Sequence, residues 1–110
     1  MSKIINLKDE NIKDKAIVGL DVKGVAIVKF GAEWCWPCVS LDAKLELFAE
    51  NQNDIQVYML NVDEAPDASR DFRIMSIPAT YFFKDWKLAD IPFVLWDNLN
   101  DIEASIKLIK

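Results

Sequence analysis

Val25-Ala26-Ile27-Val28-Lys29-Phe30, followed by Gly31-Ala32-Glu33-Trp34-Cys35-Trp36-Pro37-Cys38, joins a nearly continuous apolar run to the chain's two cysteines, the only ones it has. Runs of β-branched residues of this kind form strands covered on both faces. The stretch after the cysteines, Val39 to Glu50, is rich in Ala, Lys, Leu and Glu. Its period is ambiguous, since alternating apolar residues also suit a strand. However, Cys38, Leu41, Leu45 and Phe48 form a helical stripe, and length and composition favour helix. The cysteines therefore sit at a strand-to-helix junction, with Cys35 at the helix start. Unpaired backbone N–H groups there favour negative charge, and the thiolate is the form that attacks disulfides. Cys38, three residues on, is close enough to close a ring with Cys35. Dithiol–disulfide exchange is the chemistry this pattern points to.

Outward from that junction, Lys3 to Leu7 reads as a short strand and Asp9 to Asp14 as a short polar helix. Gly24 punctuates a turn before the apolar strand. Ile55 to Asp63 is a second central strand. Pro66 to Phe72 is a short helix with its proline in the first turn. Ile77 to Phe83 is a third strand, and Lys87 to Leu95 a last one that Pro92 confines to an edge. Leu99, Ile102, Ile106 and Ile109 make a closing helix with Asn98 as N-cap. The order β-α-β-α-β-α-β-β-α implies an α/β fold, with one mixed sheet flanked by helices.

The 110 residues suit a single domain spanning 1–110. A hydrophobic content of 52% with only 3 glycines argues against disorder. The net charge of −5 argues against nucleic acid as a partner. The apolar runs are too short for a membrane span, and no signal peptide is visible at the N-terminus. Two cysteines in such a chain suggest a working pair in the cytoplasm rather than a structural staple. With no His and no third Cys, a zinc site would need two chains sharing their pairs. We therefore expect a monomer without bound metal.

The chain resembles the thioredoxin family over essentially its whole length. Ala32-Glu33-Trp34-Cys35 with Pro37-Cys38 is similar to the family's active-site segment, with Trp36 where glycine is usual. Leu60-Asn61-Val62-Asp63 is similar to the end of the central strand, Ile77-Pro78 to the cis-proline beside the dithiol, and Phe82-Phe83-Lys84-Asp85 to the strand end that follows. The resemblance implies a thioredoxin fold and reduction of protein disulfides through a redox-active Cys35–Cys38 disulfide with no bound cofactor. It also implies electrons drawn from a thioredoxin-reductase-like flavoenzyme. Trp34, Trp36, Pro37, Ile77 and Pro78 would tune the pair or shape the surface where substrate docks.

Several positions depart from the family pattern. Lys29 falls where the family usually buries an Asp, and Met59 where a lysine often pairs with it. Ala43 replaces a helix-kinking proline, Trp86 a hairpin glycine, and Phe93 or Val94 a groove glycine. A lysine in a buried strand must reach water or a partner. Glu33, Asp63 and solvent are the sequence candidates, and stabilising a cysteine thiolate directly is the other reading. Trp36, between the cysteines, should be exposed, whereas Trp34 reads as packing beside the site. Asp42, Glu46 and Glu50, spaced i, i+4, i+8, read as a solvated helix face. The residues leave two alternatives open. One is an interaction module holding a partner through Trp36, Ile77 and Phe93; the other is an oxidant or isomerase using the same dithiol.

Overall fold

A computed structural model describes residues 4–52 and 54–110; Lys3, the expected start of the first strand, lies outside them. Strand β1 (Ile4–Asn6) is followed by a 3-10 turn (Asp9–Asn11), β2 (Ile12–Lys13) and β3 (Ala16–Ile17). The central elements are β4 (Val25–Gly31), α1 (Trp36–Glu50), β5 (Ile55–Asn61) and α2 (Pro66–Asp71). Strands β6 (Ala79–Lys84), β7 (Lys87–Leu88) and β8 (Val94–Leu95) precede the closing α3 (Leu99–Ile109). The sheet runs β1-β5-β4-β6-β7-β3-β2, and β8 also pairs with β6. β4 lies parallel to β5 and antiparallel to β6. This is the α/β arrangement with one mixed sheet that the sequence implies.

Successive β4 side chains point to opposite faces of the sheet, as the pleat requires. Val25 and Ile27 pack with Leu41 and Leu45 of α1 and with Ile102 and Ile106 of α3. Ala26, Val28 and Phe30 pack on the other face with Ala68 of α2, Phe72 and Phe83. Phe30, Phe72 and Tyr81 meet as an aromatic cluster with ring centroids 4.8–5.5 Å apart. Burial of Cys38, Leu41, Leu45 and Ala49 along α1 resolves its ambiguous period in favour of helix. Asn98 caps α3 by accepting the Asp101 N–H.

Two local expectations are corrected. The polar helix expected over Asp9–Asp14 is a single 3-10 turn, after which Ile12 and Ile17 enter the core as partners in a small hairpin. Asp9 has a separate role: its carboxylate accepts the N–H groups of Asp67 (3.1 Å) and Ala68 (2.7 Å). It thereby caps α2, whose own N-cap, Ala65, has no side-chain acceptor. The last strand is broken into β7 and β8 around Pro92, and β7 is not an edge, because β3 pairs with its outer side.

Candidate active site

The loop from β4 to α1 delivers Cys35 as the N-cap residue of α1, and Pro37 occupies the first turn, where a missing N–H costs nothing. The Cys35 sulfur accepts the Cys38 N–H at 3.2 Å, so one of the orphan donors of the helix start is aimed at it. Cys35 and Cys38 form a disulfide with Cα atoms 5.2 Å apart. Cys35 is 6% exposed and Cys38 0%. In the oxidised pair Cys35 is the more accessible residue of the two, but most of it is covered. Ala32, Val62 and Ile77 pack around the pair.

Ile77–Pro78 is a cis peptide bond immediately before β6. The Pro78 carbonyl accepts the Trp96 N–H at 3.1 Å, which ties the segment after β8 to this corner. Trp36 is 82% exposed, as its position between the cysteines implies, and Trp34 is 70% exposed. Trp34 is therefore a surface side chain and not packing: its Nε1–H donates to Asp63 Oδ2 at 2.8 Å, clamping the β4–α1 loop to the end of β5. Met75, 95% exposed just before Ile77, was not singled out from the sequence. Phe93 stacks on Tyr81 with centroids 4.8 Å apart, and Tyr81 is held above its ordinary pKa by burial.

The other side of the pair is polar. Lys29 is only 4% exposed, and its ammonium group pairs with the Asp42 carboxylate of α1. Neither Glu33 nor Asp63 is its partner. Asp42 is half-buried while Glu46 and Glu50 are exposed, so the first member of the expected solvated face of α1 turns instead to Lys29 at the cavity wall. The sheet register sets Lys29 opposite Thr80, a fully buried residue, and Met59. Gly31 makes room for the arrangement. A Cβ at that position would stand 2.7 Å from Lys29 Nζ and 3.1 Å from Cys38 Sγ. Both groups lie against the same glycine, so the ammonium is within about 6 Å of the sulfur. A cavity of about 410 Å³ opens onto this corner, lined by Lys29, Gly31, Asp42, Met59, Glu33 and Glu64 among others. Among the described residues no group of three or more His, Cys, Asp or Glu side chains could hold a metal ion. No described helix is long and apolar enough to cross a membrane.

A cysteine pair oxidised in place at a helix start, beside a cis-proline, is the apparatus of dithiol–disulfide exchange. A family model described as Thioredoxin matches residues 3–107. Thioredoxin-2 of Saccharomyces cerevisiae is 33% identical over 84 residues, which cover 76% of this chain and 79% of that protein. Thioredoxin of Chlamydia trachomatis is 30% identical over 103 residues, 94% of this chain and 92% of that protein. The solved structure of Trichomonas vaginalis thioredoxin matches with a TM-score of 0.79 over 100% of both chains; at 24% identity it speaks to the fold alone. The chain belongs to the thioredoxin family. It is a thiol–disulfide oxidoreductase, and nothing in these relatives favours the interaction-module or oxidant readings.

Proposed function

We propose that this chain is a single-domain, monomeric, cytoplasmic reductant of protein disulfides in which Cys35 attacks and Cys38 resolves. The observation that carries the assignment is the difference between the two sulfurs. Cys35 caps α1, receives a backbone N–H and is the one that reaches the surface; Cys38 is sealed in the first turn. The Cys35 thiolate attacks a substrate disulfide and forms a mixed disulfide, releasing one substrate thiolate. Cys38 then attacks the Cys35 sulfur, freeing the second substrate thiol and leaving the Cys35–Cys38 disulfide. Two electrons pass from the dithiol to the substrate. A thioredoxin-reductase-like flavoenzyme restores the dithiol, and no bound cofactor or metal is needed for the exchange itself.

Exposed Trp36 and half-buried Ile77 form the docking surface around Cys35, the buried Pro78 fixes the backbone beneath it, and Pro37 and Trp34 shape the loop that presents it. Met75 and Phe93 extend the apolar part of that surface, and exposed aromatic side chains are frequent anchors of protein interfaces. Lys29 tunes the pair from beneath by favouring a thiolate at Cys38. Reduction of insulin disulfides tests the reading. Wild type should catalyse it with dithiothreitol as electron source and Cys35→Ser should not. Brief iodoacetamide treatment of the reduced protein at neutral pH should label Cys35; dominant labelling of Cys38 would reverse the assignment.

A further inference from the structure

Cys38 must lose a proton before it can attack the mixed disulfide, yet its sulfur is wholly buried. Burial in apolar surroundings disfavours a thiolate. The strand position beneath the pair carries Lys29, which can donate hydrogen bonds but cannot accept a proton while it is an ammonium. A carboxylate nevertheless stands at this corner. Asp42 lies one helical turn beyond Cys38, at the i, i+4 spacing that places side chains on the same face with Cβ atoms about 5–6 Å apart. Its carboxylate is fixed by Lys29, whose ammonium borders, with Cys38 Sγ, the space that a side chain at Gly31 would fill. Its side chain keeps 39% of its surface accessible and lines the cavity that opens to solvent.

We propose that Asp42 is the proton acceptor for Cys38 during resolution of the mixed disulfide, with Lys29 as the positioning residue that holds it. The inference rests on the resolving role assigned to Cys38 above. The Cys38 S–H proton passes to the Asp42 carboxylate, directly or through water that enters from the cavity. Before transfer the corner holds an ammonium, a carboxylate and a thiol; afterwards it holds an ammonium, a carboxylic acid and a thiolate. Its net charge is unchanged, and the negative charge has moved from one neighbour of Lys29 to another. The thiolate attacks Cys35 Sγ, the bond between Cys35 and the substrate sulfur breaks, and the Cys35–Cys38 bond forms. The departing substrate thiolate takes a proton from solvent, and Asp42 returns its own through the cavity. The remaining charged groups facing this corner are Glu33, in the loop after β4, and Glu64, in the turn after β5, both exposed at the cavity wall.

The two half-reactions separate when reduced protein is mixed with the aromatic disulfide dithiobis(nitrobenzoate). Attack by Cys35 releases one coloured thiolate and resolution by Cys38 releases the second. In Asp42→Asn the first phase should match wild type. The second should slow by about tenfold or more at neutral pH, less than the full 10²–10⁴ of a general base because solvent still accepts the proton. The two proteins should converge as pH rises through the free-thiol range near about 8.5. Asp42→Glu should restore most of the rate, and Glu33→Gln and Glu64→Gln should leave both phases unchanged. A second phase in Asp42→Asn that superimposes on wild type at every pH would overturn the proposal. So would one slowed by the same factor at every pH, which is the mark of a structural role. If Asp42→Asn fails to fold around its unpaired lysine, Lys29→Met/Asp42→Asn leaves no buried charge unmatched and must show the same slowed, converging second phase. An absent first phase would instead overturn the assignment of the cysteines.

Discussion

Gly31 is the residue on which the polar side of the site turns. Lys29 Nζ and Cys38 Sγ both occupy the volume a side chain would take there. The lysine end can swing away, but the sulfur is fixed by the helix and the disulfide. Gly31→Ala should therefore cost about 1–3 kcal/mol of stability, the usual penalty for forcing extra volume into a packed site. Denaturant unfolding of the oxidised protein checks it; an unchanged midpoint would mean that the corner is looser than these distances show. At this scale the pairing of Cys35 with Cys38 was legible in the sequence, because residue type and spacing carry its meaning, whereas the cis bond at Pro78 rested on the family resemblance alone. The partner of Lys29 was not legible. Asp42 shares its spacing with Glu46 and Glu50, and nothing local distinguishes an acid that faces a buried lysine from two that face water. The depth of Lys29 in the strand was the only available signal, since a buried ammonium needs a counter-charge.

Among the elements, the central strands and the closing helix were readable from runs of apolar residues and from the stripe on α3. The hairpin of β2 and β3 was not, because its two-residue turn carries no glycine. Asp14 and Lys15 adopt left-handed φ values of 53° and 58°, a conformation such turns usually assign to Asn-Gly. Asp85 and Trp86 repeat this between β6 and β7, with φ values of 50° and 65°. There Gly24 N–H donates to the Asp85 carboxylate at 2.8 Å and helps hold the turn. Left-handed backbone costs a residue with a Cβ roughly 1–2 kcal/mol. Lys15 is exposed, so Lys15→Gly should raise stability by about 0.5–1 kcal/mol, the gain being reduced by the greater freedom of glycine in the unfolded chain. A higher denaturation midpoint with unaltered insulin reduction is the expected result. The break in the last strand was half-legible: Pro92 announced an interruption, but pairing of β7 with β3 depended on the unread hairpin.

Across the whole molecule, α1 and α3 cover one face of the sheet, and a charged clamp joins their approaches. Asp97, just before α3, accepts Ser40 Oγ–H at 3.1 Å and a Lys44 ammonium N–H at 3.3 Å, both from α1. Those two bonds, Lys44 first, hold its carboxyl below the ordinary carboxylate range. Asp54 is lowered in the same direction by its hydrogen bond to Lys110. A carboxyl depressed in the folded state contributes stability above its unfolded pKa of about 3.9 and loses it as pH falls through the lower folded value. Asp97→Asn should therefore bring the stabilities at pH 6 and pH 3 closer together than in wild type, an effect that salt weakens. Urea midpoints across that range are the check, and parallel curves for the two proteins would remove the clamp from the account.

The central claim, that Cys35 attacks and Cys38 resolves, is tested most directly by trapping the mixed disulfide. Reduced Cys38→Ser and Cys35→Ser are each incubated with a protein disulfide substrate, quenched with acid and resolved by mass without reductant. A substrate adduct should accumulate on Cys35 in Cys38→Ser and should not form in Cys35→Ser. An adduct that accumulates on Cys38 in Cys35→Ser, with none on Cys35 in Cys38→Ser, would contradict that claim.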